Sequence, residues 1–262
     1  MKTVRTVADI RTELQDRGGR IGLVPTMGAF HEGHLSLMRS ARDSCDGVVV
    51  SLFVNPSQFD AADDLERYPR DEAADALAAE SVGVDLLFAP AATELYPDSF
   101  DTWVEPGKLA TVLEGAARPG HFRGVATVCT KLFSIVRPDI AYFGRKDAQQ
   151  VAVIKRVVAD LNLPLEIVAL PTVRDADGLA LSSRNTFLSP GERAVALALP
   201  QALEAGAAAN KSGADPVVAA RGILDDERGL TVDYVDVAEL DGPTLVAAVR
   251  VGTTRLIDNV PL

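Results

Sequence analysis

Two histidines stand three residues apart in one polar string, and the chain has only one other histidine. The string runs Pro25-Thr26-Met27-Gly28-Ala29-Phe30-His31-Glu32-Gly33-His34. It follows an apolar run typical of a buried strand and precedes a helical pattern, so we expect it at the carboxyl edge of a parallel sheet, where ligands bind. Its glycines let the backbone approach a ligand closely, and the start of the next helix favours phosphate. We therefore predict that His31 and His34 donate hydrogen bonds to phosphate oxygens.

Two other interpretations of this string are weaker. A polar turn between strand and helix can contain structural histidines, but a pair of them at a ligand-binding edge favours function. A zinc site needs three or four ligands, and no nearby cysteine or carboxylate pair completes one.

Two further strings contain the cations that an anionic ligand requires. Gly144-Arg145-Lys146-Asp147-Ala148-Gln149-Gln150 again follows an apolar run and opens a helix. There Lys146 can neutralise charge on a phosphate, although Asp147 can also be a simple N-cap and Lys146 a solvated charge. Leu181-Ser182-Ser183-Arg184-Asn185 offers hydroxyls and a guanidinium to a polyphosphate. Taken alone, this string is more typical of a polar interdomain loop.

Two weaker signals accompany these strings. Asn55-Pro56-Ser57-Gln58-Phe59 follows the second apolar run, and a buried Gln58 there can bind a hydroxyl or a carboxylate. Ordinary turn chemistry explains the same residues equally well. Arg118-Pro119-Gly120-His121-Phe122-Arg123-Gly124 opens a predicted helix, and its basic residues are suited to an anion.

Five continuously apolar runs must position these residues, namely 21–25, 47–54, 85–89, 139–144 and 165–170. Such runs, separated by helix-like segments, predict a Rossmann-like, doubly wound α/β fold whose parallel sheet is covered on both faces. The pattern changes after about residue 171. A capping box at Ser189-Pro190-Gly191-Glu192 starts an alanine-rich helix, and strand-like pieces follow at 232–240 and 255–260. We predict a ligand-binding domain at 1–172 and a smaller α+β lid domain at 173–262.

Composition narrows the class of partner. The formal net charge of the 262 residues is -11 and the sequence pI is about 4.8. An acidic surface repels phosphate backbones and anionic lipid, so we expect neither nucleic acid nor membrane as a partner. The two cysteines have no metal-ligand spacing, and the chain shows no signal peptide or membrane-spanning run. We therefore expect a cytoplasmic protein.

Together the strings resemble the pantothenate synthetase (pantoate–β-alanine ligase) family, within the HxGH nucleotidyltransferase superfamily. The family's PTMGALHEGH is similar to residues 25–34, with Phe30 for leucine, and its FVNPxQF to residues 53–59. Its GxKDxQQ and SSRN correspond to residues 144–150 and 182–185. HxGH alone is widespread, but the four strings in this order are specific. Two departures are Arg145, where the family commonly has glutamate, and Ala148, where an aromatic residue is common.

The resemblance implies an ATP-dependent ligase that makes pantoyl-adenylate and pyrophosphate, and then pantothenate and AMP when β-alanine attacks. Nucleotide and pantoate would bind to the domain at 1–172. The resemblance implies His34, Lys146, His31 and Arg184 as catalytic residues. The implied ATP-binding residues are Met27, Gly28, His31, Gly33, His34, Gly144, Lys146, Asp147, Ser182, Ser183 and Arg184. Pantoate would be bound by Pro25, Met27, Gln58 and Gln150, and β-alanine by Gln58 and Arg118. Mg²⁺ would be held largely by the phosphates, with Asp75 as a protein contact, and the protein would be a homodimer.

Three other functions remain open from the sequence. One is a transferase that joins a nucleotide to a phosphorylated alcohol, which shares HxGH but does not need the glutamine strings or residues 182–185 in this arrangement. Another is a non-catalytic nucleotide-binding module, which the intact His31, His34 and Lys146 disfavour. The third is an RNA-recognising relative of the synthetases, which the acidic charge disfavours.

Overall fold

The computed structural model describes residues 1–59 and 62–262. The chain divides into two compact units. The first comprises Met1–Gly144 and Gln149–Leu170, and the second comprises Arg145–Ala148 and Pro171–Leu262. The short segment Arg145–Ala148 thus groups with the second unit, whereas the sequence pattern had assigned it to the first domain.

The first unit is built on a six-stranded parallel sheet in the order β1-β4-β3-β2-β5-β6. The strands are β1 (Lys2–Val4), β2 (Ile21–Thr26), β3 (Gly47–Leu52), β4 (Leu86–Phe88), β5 (Ile140–Gly144) and β6 (Glu166–Leu170). All five predicted runs form strands of this sheet, which confirms the doubly wound α/β fold. The short edge strand β1 was not predicted.

Helices cover both faces of this sheet, as the continuously apolar strands predict. They are α1 (Val7–Gln15), α2 (Glu32–Ser44), α3 (Ala62–Arg67), α4 (Glu72–Ser81), α5 (Ala92–Leu95), α6 (Glu114–Ala117), α7 (His121–Val136) and α8 (Ala148–Asp160). Leu23 of β2 packs in one core with residues of α1, α7 and α8. Its neighbour Val24 packs in a second core with residues of α2 and α4. Successive side chains of β2 therefore anchor opposite layers of helices.

The second unit combines three helices with a three-stranded antiparallel sheet. After the helices α9 (Pro190–Ala196), α10 (Ala198–Lys211) and α11 (Pro216–Asp226) come β7 (Leu230–Glu239), β8 (Pro243–Val251) and β9 (Thr254–Pro261), in the order β7-β8-β9. Leu199, Leu203 and Leu224 pack on Leu245 and Val249 of the central strand. The predicted capping box is present at the start of α9, where Ser189 and Glu192 exchange hydrogen bonds.

None of the helices among residues 1–59 and 62–262 has the length and apolarity needed to cross a membrane.

Candidate active site

The histidine string leaves the sheet at the carboxyl end of β2, as the sequence predicted. β2 lies between β3 and β5, so the string begins beside the ends of two neighbouring parallel strands. The hydroxyl of Thr26, the last residue of β2, donates to the carbonyl of Ser51 at 2.6 Å. The carbonyl of Thr26 accepts from the backbone N–H of Phe53 at 3.1 Å. These bonds fix the point at which the loop departs.

Asp75 of α4 holds the first turn of this loop. Its Oδ2 accepts the backbone N–H of Ala29 at 2.9 Å, and its Oδ1 accepts that of Phe30 at 2.7 Å. The turn needs a left-handed backbone at Gly28 (φ 93°) and at Ala29 (φ 53°). A Cβ at Gly28 would lie 2.8 Å from Asp75 Oδ2 and 2.8 Å from Leu52 Cδ1, so glycine is required there for space as well as for φ. The loop is therefore shaped around one carboxylate.

Burial of the Asp75 carboxyl raises its pKa above the ordinary value, and the two N–H donors partly oppose that shift. Both carboxylate oxygens accept backbone N–H groups, so Asp75 has a structural task in this loop. Among the described residues no cluster of three or more histidine, cysteine, aspartate or glutamate side chains could hold a metal ion.

The two histidines cap the helix that follows. His31 is the N-cap of α2, and its Nδ1 accepts the backbone N–H of Gly33 at 3.2 Å. Nδ1 of His34 accepts the backbone N–H of His31 at 3.3 Å, which completes a capping box made of imidazoles. The ring centroids lie 4.2 Å apart. A Cβ at Gly33 would lie 2.9 Å from His31 Cε1, so a larger residue there would displace the His31 ring from its capping position.

This geometry determines the tautomer of both rings. A nitrogen that accepts a hydrogen bond has no hydrogen of its own, so each neutral ring has its hydrogen on Nε2. Two Nε2–H donors are thereby held at the N-terminus of α2, where the helix dipole also favours an anion. An imidazole N–H and a helix N-terminus both favour an anion over a cation at this end of the sheet.

The predicted glutamine site lies beside the same loop. Gln58 ends a 3₁₀ turn, Pro56–Gln58, and is buried. Its Nε2 lies 3.1 Å from the Sδ of Met27, and its Oε1 accepts from Asn55 Nδ2 at 2.9 Å. Asn55 also donates to the carbonyl of Gly124 in α7, at 3.2 Å. The structure thus brings Met27 and Gln58 together and fixes the Gln58 amide through Asn55.

Arg118 and His121 both donate hydrogen bonds to the backbone carbonyl of Gln58. The Gln58 carbonyl accepts from His121 Nδ1 at 2.9 Å and from an Arg118 NH group at 3.3 Å. Because a carbonyl only accepts, His121 has its hydrogen on Nδ1, and its Nε2 accepts from Arg118 at 3.3 Å. Arg118, which the resemblance implies as a β-alanine contact, therefore supports the Gln58 backbone.

The two neighbouring glutamines of α8 differ in environment. Gln150 is half-buried in the first turn of the helix. Gln149 is buried, and its Nε2 donates to the carbonyls of Leu109 and Val112 at 2.7 and 2.8 Å. Its Oε1 accepts the backbone N–H of Glu114 at 3.0 Å. One side chain thus holds the segment that leads to Arg118.

In the second unit, the cationic string forms a 3₁₀ turn, Arg145–Asp147, directly after Gly144. The side chain of Lys146 is mostly buried, with its Nζ 3.9 Å from Asp147 Oδ1. Arg145, the departure from the family pattern, pairs with Asp241 at 2.9 Å. Its charge is therefore partly neutralised within this unit.

The serine string is also turned into a defined geometry. Ser182 caps a 3₁₀ helix, Ser183–Phe187, and its hydroxyl oxygen accepts the backbone N–H of Arg184 at 3.3 Å. Asn185 donates to the carbonyl of Ala180 at 3.0 Å. These two bonds place Ser182, Ser183 and Arg184 on one short turn.

The whole chain matches a known family. The protein-family model described as pantoate-beta-alanine ligase matches residues 1–261. The chain belongs to the pantoate-β-alanine ligase family.

Individual relatives and solved structures agree with this family over their full lengths. A pantothenate synthetase from Heliobacterium modesticaldum is 51% identical over 274 residues, covering 99% of this chain and 98% of the relative. The crystal structure of pantothenate synthetase from Thermus thermophilus superposes with a TM-score of 0.95 at 44% identity, covering 99% of both chains. The structure of the Francisella tularensis ligase, complexed with beta-gamma ATP and beta-alanine, gives a TM-score of 0.87 at 34% identity. It covers 100% of this chain and 97% of that one.

Sequence reasoning missed the residues of this ligase that support the loops. Asn55 and His121 lie inside the predicted strings, but Asn55 also binds the backbone carbonyl of Gly124, 69 residues away in sequence, and His121 that of Gln58, 63 residues away. The amide partners of Gln149 lie 35 to 40 residues earlier in the chain. From the sequence, such residues could have been identified only as polar side chains predicted to be buried next to a ligand-binding string.

Proposed function

We propose that the chain joins pantoate to β-alanine in two steps, with ATP as co-substrate. In the first step, a carboxylate oxygen of pantoate attacks the α-phosphorus of ATP, which forms pantoyl-adenylate and releases pyrophosphate. In the second step, the β-alanine amine attacks the acyl carbon, AMP leaves, and the amine proton passes to solvent. Full-length membership of the ligase family supports this activity.

The first step brings two anions together on a protein of net charge -11. Its main requirement is local neutralisation and in-line alignment, because no proton is transferred at the phosphorus. We assign the Nε2–H groups of His31 and His34 to the ATP phosphates. Their imidazole capping box supports this role, because it holds both rings at the N-terminus of α2 with Nδ1 as acceptor and the ring hydrogen on Nε2.

The remaining phosphate contacts come from three strings. Lys146 neutralises charge as it builds on the phosphates, with Arg184 as a second cation. The other ATP-binding residues are Met27, Gly28, Gly33, Gly144, Asp147, Ser182 and Ser183. Hydroxyl groups and backbone N–H groups on a short turn are suited to polyphosphate oxygens, which supports Ser182 and Ser183.

Pantoate is bound by Gln58 and Gln150, with Pro25 and Met27 beside it. The contact between Gln58 and Met27 supports a common site for these two residues. β-Alanine follows at Gln58, and Arg118 orients this glutamine through its backbone carbonyl. The second step needs no strong general base, since the mixed anhydride is already activated.

ATP enters as its Mg²⁺ complex, with the metal held by phosphate oxygens. We further propose that the ligase is a cytoplasmic homodimer, in line with the resemblance from which both properties were expected.

Exchange of labelled pyrophosphate into ATP tests the first step. With pantoate and Mg²⁺ present and β-alanine absent, we expect exchange that requires pantoate. Lys146→Ala and His34→Ala should each lower its rate ~10²–10³-fold, the scale of one lost charge contact in a transition state. Lys211→Ala is the control, because Lys211 is exposed in the same unit as Lys146.

Addition of β-alanine should then release AMP and form pantothenate. Folded wild-type protein that binds ATP but catalyses no exchange would contradict the proposed reaction and favour a nucleotide transferase. Near-normal rates in both variants would contradict the assigned roles while leaving the reaction in place.

A further inference from the structure

The last strand of the second unit contains two adjacent buried polar residues, Asp258 and Asn259. They lie on β9, which is an edge strand of the antiparallel sheet. Successive side chains of a strand point to opposite faces, so each residue is buried against a different segment. Polar groups are costly to bury unless they are hydrogen-bonded. Their partners therefore indicate what this pair does.

The Asn259 amide binds the backbone of the lysine turn. Its Nδ2 donates to the carbonyl of Arg145 at 2.8 Å and to the carbonyl of Lys146 at 2.9 Å. An amide nitrogen has two hydrogens, so both donors are used. Two consecutive carbonyls held by one planar group fix the rotation of the turn. They thereby fix the direction in which the Lys146 side chain leaves the backbone.

Asp258 makes this anchor rigid. Its Oδ1 accepts the backbone N–H of Asn259 at 2.8 Å. Its two oxygens also bind the Arg174 guanidinium at 2.6 and 3.0 Å, and Arg174 donates in turn to the carbonyl of Gly178 at 3.1 Å. The hydrogen bond to Asp258 raises the pKa of Arg174, so the guanidinium stays charged. The ion pair with Arg174 therefore stabilises β9 at the residue that precedes Asn259.

We propose that Asn259 is a positioning residue that acts through Lys146. An ammonium group accelerates phosphoryl transfer only where it meets the charge that develops in the transition state. Asn259 sets that place from 113 residues away in sequence. The second unit therefore contributes to the adenylation step through the backbone of the lysine turn. This inference rests on the proposed function, because it assigns Lys146 to the ATP phosphates.

A double-mutant cycle with Asn259→Ala and Lys146→Ala tests the proposal by pyrophosphate exchange at saturating ATP and pantoate. Loss of two neutral hydrogen bonds should slow exchange ~10–30-fold in Asn259→Ala. In the Lys146→Ala background the same change should cost less than ~2-fold, because the group that Asn259 positions is already gone. Asn210→Ala is the matched control, since Asn210 is exposed on α10 of the same unit, and it should exchange at the wild-type rate.

Circular dichroism and thermal unfolding establish that each variant is folded. If Asn259→Ala does not fold, Asn259→Ser replaces it in the cycle, because a hydroxyl can donate one of the two bonds. Two losses that multiply, including a double variant with no detectable exchange, would overturn the proposal and indicate a general structural role. Normal exchange in Asn259→Ala, or in Lys146→Ala, would overturn it too. Absence of exchange in the wild-type protein would instead overturn the proposed function, and this inference with it.

Discussion

Replacing Asp75 with asparagine tests whether one carboxylate shapes the loop after β2, residues 27–31, to which the proposed function assigns ATP. Asparagine has the same size but offers one acceptor, and its NH₂ group then faces a backbone N–H. One charge-assisted hydrogen bond is lost, worth ~1.5–3 kcal/mol, which corresponds to about a 10- to 100-fold change in an equilibrium. We expect kcat/KM for ATP to fall by that factor in the pyrophosphate-exchange assay.

Global stability should respond much less. Burial is the largest influence on the Asp75 carboxyl and raises its pKa, so the charged form is held at a cost that the two N–H bonds only partly offset. In the asparagine variant, the loss of one hydrogen bond lowers the stability and the loss of the buried charge raises it, so the two effects partly cancel. We therefore expect the free energy of unfolding to change by less than ~1 kcal/mol. A loss of ATP use without a loss of stability identifies a local role.

The same shift gives a pH dependence whose sign can be worked out. Lowering the pH through the raised pKa protonates one oxygen and removes an acceptor, so loop anchoring is present above that pKa and lost below it. The contribution of Asp75 to global stability changes with pH in the opposite direction. A folded pKa above the unfolded one means that the folded state binds the proton more tightly, so this contribution to stability is lost as the pH rises through the folded pKa.

Two controls make the experiment decisive. Asp71→Asn changes an exposed carboxylate on the same helix, and asparagine replaces aspartate well as the N-cap, so it should match the wild type. Titration with Mg²⁺ separates loop anchoring from metal binding. If excess Mg²⁺ restores Asp75→Asn, or if this variant uses ATP normally, the anchoring role is refuted.

Two further outcomes follow from buried groups. Gln149→Leu leaves two carbonyls and one N–H without their partner, so we expect the free energy of unfolding in denaturant to fall by ~2–4 kcal/mol. Gln15→Leu, at an exposed position, is the control. An unchanged unfolding midpoint in Gln149→Leu would contradict the structural role of these three hydrogen bonds. Cys45 and Cys129 are buried thiols, and burial raises the pKa of Cys129 to about 12, so neither should react with a thiol reagent until the protein is unfolded; rapid labelling of the native protein would contradict this.

The strands of the first unit could be predicted because burial on both faces leaves an unbroken apolar run. The central strand of the second unit, β8, could not. Its residues Val246, Ala247 and Ala248 are buried, yet alanine is a weak strand former and gives no period of two. Packing of α10 on this strand overrides its low strand propensity. β1 was missed because three residues are too few to show a pattern.

The candidate site divides in a similar way. The residues that the resemblance assigns to ligands are clustered in short strings, so their type and spacing can be read from the sequence. Residues that hold those strings are single side chains elsewhere, such as Asp75, which lies 46 residues from the N–H of Ala29 that it binds. No local pattern marks such a partner, because the fold alone brings the two groups together.

The capping box also limits what the two histidines can do in the reaction. Nδ1 of each ring accepts a backbone N–H, so a proton added there would place a donor against a donor and break the cap of α2. In this cap each ring therefore donates from Nε2. Neutral donors suit a step in which a carboxylate displaces pyrophosphate, since alignment and charge control its rate and no proton moves at the phosphorus. Positive charge must then come from other side chains, and the proposed function assigns it to Lys146 and Arg184. Under the proposed assignment, His31 and His34 orient the phosphates and these two cations neutralise them.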